Sequence, residues 1–247
     1  MIDIHIITCQ RTATRLPNLL QSLQALLNMG EVQQVRLLCK GDIGYNNEVN
    51  YSSKLWSEHI SSIYPILAKN IAEANGRQYH RIATLLGQSP DVFFPTRGLR
   101  PEEKSLLSKH FESLSLVQRP TLVIEDDAFI CPGKERELLA IANEYCHSGM
   151  YIDLGMIPGI KADNSYIDTH ERVAVTPKPI ALTRTTSAFI VDKIAALQLS
   201  AGYWPCALPA DLHHQYLLFK YKIRGCWPKS IIMINLSTAG IVESSIQ

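Results

Sequence analysis

Pro120-Thr121-Leu122-Val123-Ile124-Glu125-Asp126-Asp127-Ala128-Phe129-Ile130-Cys131-Pro132-Gly133 runs from an apolar segment into three consecutive carboxylates and then a Pro-Gly turn. The β-branched pair Val123-Ile124 reads as a buried strand, and carboxylates at the end of such a strand need solvent, a partner or a cation. A hard divalent ion, Mn²⁺ or Mg²⁺, ligated by carboxylate oxygen and in turn holding a diphosphate, meets that need. A solvated acidic turn is the plainer alternative, since Asp is a common turn residue.

Outward from this stretch, strands alternate with helices, which is the pattern of an α/β protein. Ile4–Ile7 is a first strand. Leu16, Leu19, Leu20, Leu23, Leu26 and Leu27 then recur at helical spacing, with Pro17 suited to a first turn and Gly30 to a stop, before a strand at Val35–Leu38. The connection Thr8 to Arg15 therefore lies at the carboxyl end of the first strand, where open α/β sheets bind ligands, and Arg11 and Arg15 are there to meet phosphates. A turn-rich stretch from Gly41 leads into a long helical region, and Gly87 to Gly98 reads as a loop. Arg100-Pro101-Glu102-Glu103 opens a helix, with Pro and acids in its first turn as the helix dipole favours. After the triplet come a helix over Lys134 to His147 and a strand over Met150–Leu154. Residues 155 to 185 are turn-rich, with short strands near Val173–Val175 and Pro179–Leu182, and form a small antiparallel excursion over one end of the sheet. Thr185–Val191 returns to strand, Asp192 caps a helix, Asp211 stands at the N-cap of another, and Ile231–Ile234 is the last strand.

The bulk numbers bound the class. A chain of 247 residues, 46% hydrophobic and 19% charged, fits a single α/β domain or one domain with a small appendage. A net charge of +1 gives no field to recruit nucleic acid. Six cysteines without a C-x-x-C pair read as free thiols of a reducing compartment. The opening Met1–Ile7 has strand pattern rather than that of a signal peptide, and no apolar run approaches the roughly 20 residues of a membrane span. A cytoplasmic protein is expected.

The order of these features resembles the family 25 glycosyltransferases, associated with lipooligosaccharide and other surface-glycan assembly. The matching pieces are Ile4 to Arg15, Leu99-Arg100-Pro101-Glu102-Glu103 through His110, Glu125-Asp126-Asp127, Thr186-Ser187-Ala188-Phe189-Ile190-Val191 before a helix, and Leu208-Pro209-Ala210-Asp211. The opening departs from the family's usual Ile-Asn-Leu strand followed by paired arginines, reading Ile6-Ile7-Thr8-Cys9-Gln10-Arg11 here.

The resemblance implies a single GT-A-like, Rossmann-type domain, with a nucleotide-sugar half over about residues 1–133 and an acceptor half over about 134–247. It implies an inverting transfer of sugar from a nucleotide sugar, a UDP-sugar by expectation, to a hydroxyl of a lipopolysaccharide, lipooligosaccharide or capsule acceptor. A divalent metal would assist, with Asp127 and Glu125 as ligands. Thr8, Arg11, Arg15, Glu125, Asp126, Thr186 and Ser187 are the candidate donor contacts, and Asp211 is the candidate base for the acceptor hydroxyl. Trp204 is placed to stack on an acceptor sugar. Extended alternation would point Glu125 and Asp127 one way and Asp126 the other. His213 and His214 read as helix surface or core rather than as ligands. Lipid-linked acceptors would bring the enzyme to the inner face of the cytoplasmic membrane as a peripheral protein. The rival readings are a metal-dependent phosphohydrolase, which would recruit further acids or histidines from other strands, and a non-catalytic glycan-binding or assembly protein.

Overall fold

The computed structural model describes residues 1–39, 100–147, 149–155, 168–175, 186–203 and 209–237. The helical region expected after Gly41, the loop over 87 to 98, the strand near Pro179–Leu182, and Trp204 and Cys206 lie outside them.

β1 (Ile2–Ile7) is buried at every position. Its alternate residues face opposite sides of a sheet covered on both faces, so an unbroken apolar run suits it. A 3₁₀ turn over Gln10–Arg15 leads to α1 (Leu16–Asn28), which buries Leu19, Leu23 and Leu26, and Gly30 at φ +71° turns the chain toward β2 (Val32–Leu38). Next among the described residues is α2 (Pro101–Ser115). Its first free N–H is tied back, because the Arg100 N–H donates to the Glu103 carboxylate at 2.7 Å. β3 (Thr121–Glu125) and β4 (Ala128–Ile130) follow, and the Pro132-Gly133 turn, with Gly133 at φ +80°, delivers the chain to α3 (Glu135–Tyr145).

The second half holds β5 (Met150–Asp153), β6 (Asp168–Thr169), β7 (Val173–Val175), β8 (Ala188–Val191), α4 (Lys193–Ala201), α5 (Ala210–Lys220), β9 (Arg224–Pro228) and β10 (Met233–Asn235). Asp192 caps α4 as its sequence position implied. One of its carboxylate oxygens accepts from Ala195 N and the other from Gly149 N, each at 2.8 Å, so a single side chain satisfies backbone donors on both sides of the junction.

Eight strands form the main sheet in the order β2-β1-β3-β8-β5-β9-β7-β6. β8 and β7 run against the others, so the sheet is mixed but mostly parallel, and it is compatible with a Rossmann-like arrangement. β4 and β10 pair separately as a two-stranded antiparallel ribbon. The antiparallel excursion exists as the β6–β7 hairpin, but it extends the edge of the main sheet beyond β9 rather than lying over its end.

Two apolar layers hold the sheet. Ile2, Ile4, Ile6, Leu122, Ile124 and Ile190 pack with α1 and α3 on one face, while Ile7, Val123, Tyr151, Phe189 and Val191 pack with α2, α4 and α5 on the other. Each fully buried Leu or Ile contributes about 1.5–3 kcal/mol relative to exposure. Among the described residues no helix is long and apolar enough to cross a membrane, and Cys9, Cys39, Cys131, Cys146 and Cys226 are free.

Candidate functional site

β1 and β3 are adjacent parallel strands with Ile7 opposite Glu125, so the chain leaves both at the same edge of the sheet. There the β1 connection closes on the acidic triplet. Thr8 Oγ1 donates to Asp126 Oδ2 at 2.6 Å, Thr12 Oγ1 donates to the same oxygen, and Arg15 Nη1 stands 3.5 Å from Oδ1. Asp126 is thus a buried carboxylate held by two hydroxyls and a guanidinium, the conditions under which burying such a charge is tolerable. The 3₁₀ turn presents these groups together: the Thr12 N–H donates to Cys9 O at 3.1 Å, folding Thr12 back toward Cys9.

The strand ends at Glu125, and Asp126-Asp127 form a turn before β4. The alternation expected along an extended Glu-Asp-Asp therefore stops at its first member, because each carboxylate is drawn to its own partners. Glu125 turns beneath α2. Its Oε1 lies 3.0 Å from His110 Nε2 and accepts from Thr186 Oγ1 at 2.9 Å, and its backbone N–H donates to Ser187 O at 2.7 Å. Asp127 turns toward the β4–β10 ribbon, where Asn235 Nδ2 donates to its Oδ1 at 3.1 Å and the Leu236 N–H to its backbone oxygen at 2.8 Å. Ser237 Oγ donates to Asn235 Oδ1 at 2.7 Å and so fixes which way the amide faces.

Burial is the main electrostatic force in the site. It raises the Glu125 carboxyl to about 7, with the Thr186 hydrogen bond opposing and the Asp126 charge adding. It raises Asp127 to about 6, with the Glu125 charge the next contribution. Clustered carboxylates that disfavour one another's charge are a setting into which a divalent cation fits, and their oxygens are the hard donors that Mg²⁺ and Mn²⁺ take. Glu125 and Asp127 are the residues that would hold it. Asp126 has its oxygens committed to Thr8, Thr12 and Arg15. Among the described residues, no three His, Cys, Asp or Glu side chains are already arranged around one point.

Behind Glu125 lies a buried aromatic and histidine cluster. His110 stacks on Phe189 with ring centroids 5.9 Å apart and meets His214 of α5 edge-on at 5.1 Å. His214 Nε2 is 3.3 Å from Tyr203 Oη, and His213 Nε2 is 2.9 Å from Tyr203 O. Both α5 histidines are buried, which decides for core between the surface and core readings that the sequence left open.

The remaining sequence candidates are placed as follows. Thr186 and Ser187 are buried against Glu125, Ser187 through its carbonyl. The backbone of Arg11 lies in the 3₁₀ turn. Asp211 is not the N-cap of α5. The His213 N–H donates to Pro209 O at 2.8 Å, which makes Pro209 the cap and puts the half-buried Asp211 in the first turn. Proline fits a helix start because it lacks an N–H that would go unpaired there, and Asp211 still complements the dipole. Thr12, His110 and Asn235 were not singled out from sequence. Thr12 had a signal, three residues from Cys9 in a loop already suspected, whereas Asn235 reaches Asp127 across 108 residues with none.

Neither a scan against protein-family models nor a search of curated proteins finds a match for this chain.

Proposed function

We propose that the chain is a glycosyltransferase on a GT-A-like version of this sheet, moving a sugar with inversion from a UDP-sugar to a hydroxyl of a bacterial-type surface glycan such as lipopolysaccharide, lipooligosaccharide or capsule. The observation that supports it most is the closure of the Thr8–Arg15 connection onto Glu125-Asp126-Asp127 at the carboxyl ends of two adjacent parallel strands. Ligands of open α/β sheets bind at that edge.

In this reading Arg15 and Arg11 serve the diphosphate, while Glu125 and Asp127 hold a divalent cation. Such an ion supplies positive charge against the negative charge that grows on the departing diphosphate. Asp211 accepts the proton of the acceptor hydroxyl as its oxygen bonds to the anomeric carbon and the bond to the diphosphate breaks. Thr186 and Ser187 line the donor side. Lipid-linked acceptors would place the work at the inner face of the cytoplasmic membrane.

The test is to incubate the protein with a panel of UDP-sugars and Mn²⁺, with and without extracted surface-glycan acceptor, and to follow UDP release and product mass. UDP release that depends on one sugar and rises with acceptor is the expected result. Hydrolysis of p-nitrophenyl phosphate with no UDP release would overturn it in favour of a phosphohydrolase.

A further inference from the structure

We propose that His110 is a positioning residue for Glu125: its Nε2–H, together with the Thr186 hydroxyl, engages Oε1 and so fixes the carboxyl group before any ligand arrives. The inference rests on the reading of Glu125 as part of the cation and donor site.

His110 is fully buried, and its ring is wedged between Phe189 on one face and His214 at an edge. Which imidazole nitrogen carries a proton is set by the partner each one faces. Among the described residues, Nδ1 is buried with no hydrogen-bond partner, whereas Nε2 is 3.0 Å from Glu125 Oε1. A buried N–H without an acceptor is costlier and rarer than a lone pair without a donor, so the proton belongs on Nε2 and points at Glu125. The Thr186 hydroxyl reaches the same oxygen at 2.9 Å, and the Glu125 N–H is held by Ser187 O at 2.7 Å. Backbone and carboxyl are then both anchored, and the glutamate enters binding already ordered. Histidine on a buried helix face does here what a plain core residue cannot, since Phe at 110 would fill the space without offering a proton.

The direct test reads the wild-type chain by ¹⁵N–¹H correlation of the histidine side chains: a proton on Nε2 of His110 and none on Nδ1 is expected, and the reverse would overturn the proposal. The second arm measures Mn²⁺ affinity alone, by the free-ion EPR signal, for wild type, His110→Phe and His110→Gln, with melting temperature as the fold control. Loss of an orienting partner of a ligand costs about 10-fold or more in metal affinity, which is expected for His110→Phe, while His110→Gln, whose amide N–H has similar reach, recovers most of it. Wild-type affinity in a folded His110→Phe would overturn the positioning role. Failure of the wild type to bind Mn²⁺ would count against the cation reading of Glu125 and leave the tautomer measurement to decide His110.

Discussion

Thr8 donates its hydroxyl proton to Asp126 across 2.6 Å, joining residues 118 apart in sequence and tying the loop after β1 to the end of β3. Because Thr12 donates to the same oxygen and Arg15 faces the other, the centre of the acidic triplet acts as a clasp for the edge of the sheet. The outer two carboxylates take other partners, Glu125 at His110 and Thr186 and Asp127 at Asn235.

Hydrogen bonds to a buried charged group contribute about 1.5–3 kcal/mol each. Thr8→Val and Thr12→Val should each destabilise the fold within that range. Since they share Asp126 Oδ2, the double variant should depart from additivity by more than about 0.5 kcal/mol. Urea denaturation of the four proteins closes the cycle. Additive behaviour would show that the two hydroxyls act independently.

The pH dependence of stability follows from which state binds more protons. Glu125 is raised from 4.5 to about 7 and Asp127 from 3.8 to about 6, so between those limits the folded protein holds protons that the unfolded chain has lost. Their contribution is fullest below about pH 4 and fades as the pH climbs through 6 to 7. The buried histidines oppose it. His110 is lowered to about 3 and His5 to about 4 from 6.5, so their contribution is lost as the pH falls below 6.5. Glu125→Gln removes the Glu125 part of the first effect, together with the charge that helps to raise Asp127. It should be more stable than wild type at pH 8, by on the order of 2 kcal/mol, with the advantage gone near pH 4.5. Chemical denaturation at the two pH values checks both sign and trend. A less stable variant at pH 8 would mean that the contacts of Glu125 outweigh its burial.

Asp211→Asn should abolish transfer while changing stability by less than about 1 kcal/mol, because Asp211 is a first-turn acid rather than the cap. Turnover and thermal melting on the same preparation separate the two effects. Retained turnover would remove Asp211 from the role of base.

Asn235→Leu removes the amide that holds Asp127 Oδ1. Metal affinity should fall about 10-fold, whereas Asn235→Asp should restore little of it, because a further carboxylate repels Asp127 instead of donating to it. Mn²⁺ titration of both variants reads this directly. Unchanged affinity in Asn235→Leu would show that Asp127 needs no support from the C-terminal strand.

Much of this arrangement was legible locally. The apolar β-branched run of β3, the leucine spacing of α1, Pro101 with Glu102 and Glu103 opening α2, and Asp192 as a cap each depend on a few neighbouring residues. That Thr8 and Arg15 follow the first strand at its carboxyl end was readable from the sequence, whereas Thr186 and Ser187 reach Glu125 only through the pairing of β8 with β3. What was not legible depends on pairings across the chain. β9, written Arg224-Gly225-Cys226-Trp227-Pro228, has poor strand composition and exists because β5 and β7 flank it. The insertion of β8 between β3 and β5, the β4–β10 ribbon and the seat of His110 beneath Glu125 have no local signature. The outward alternation of the triplet failed for the same reason, since distant partners pull its members apart.

The most direct test of the central claim is a calorimetric titration of UDP into the wild type and Asp127→Ala, each with and without Mn²⁺. If the triplet holds a donor through a cation, UDP binds the wild type only with Mn²⁺, and binding is lost in Asp127→Ala. UDP bound equally well without metal and by the variant would take the acidic triplet out of donor binding and contradict the account.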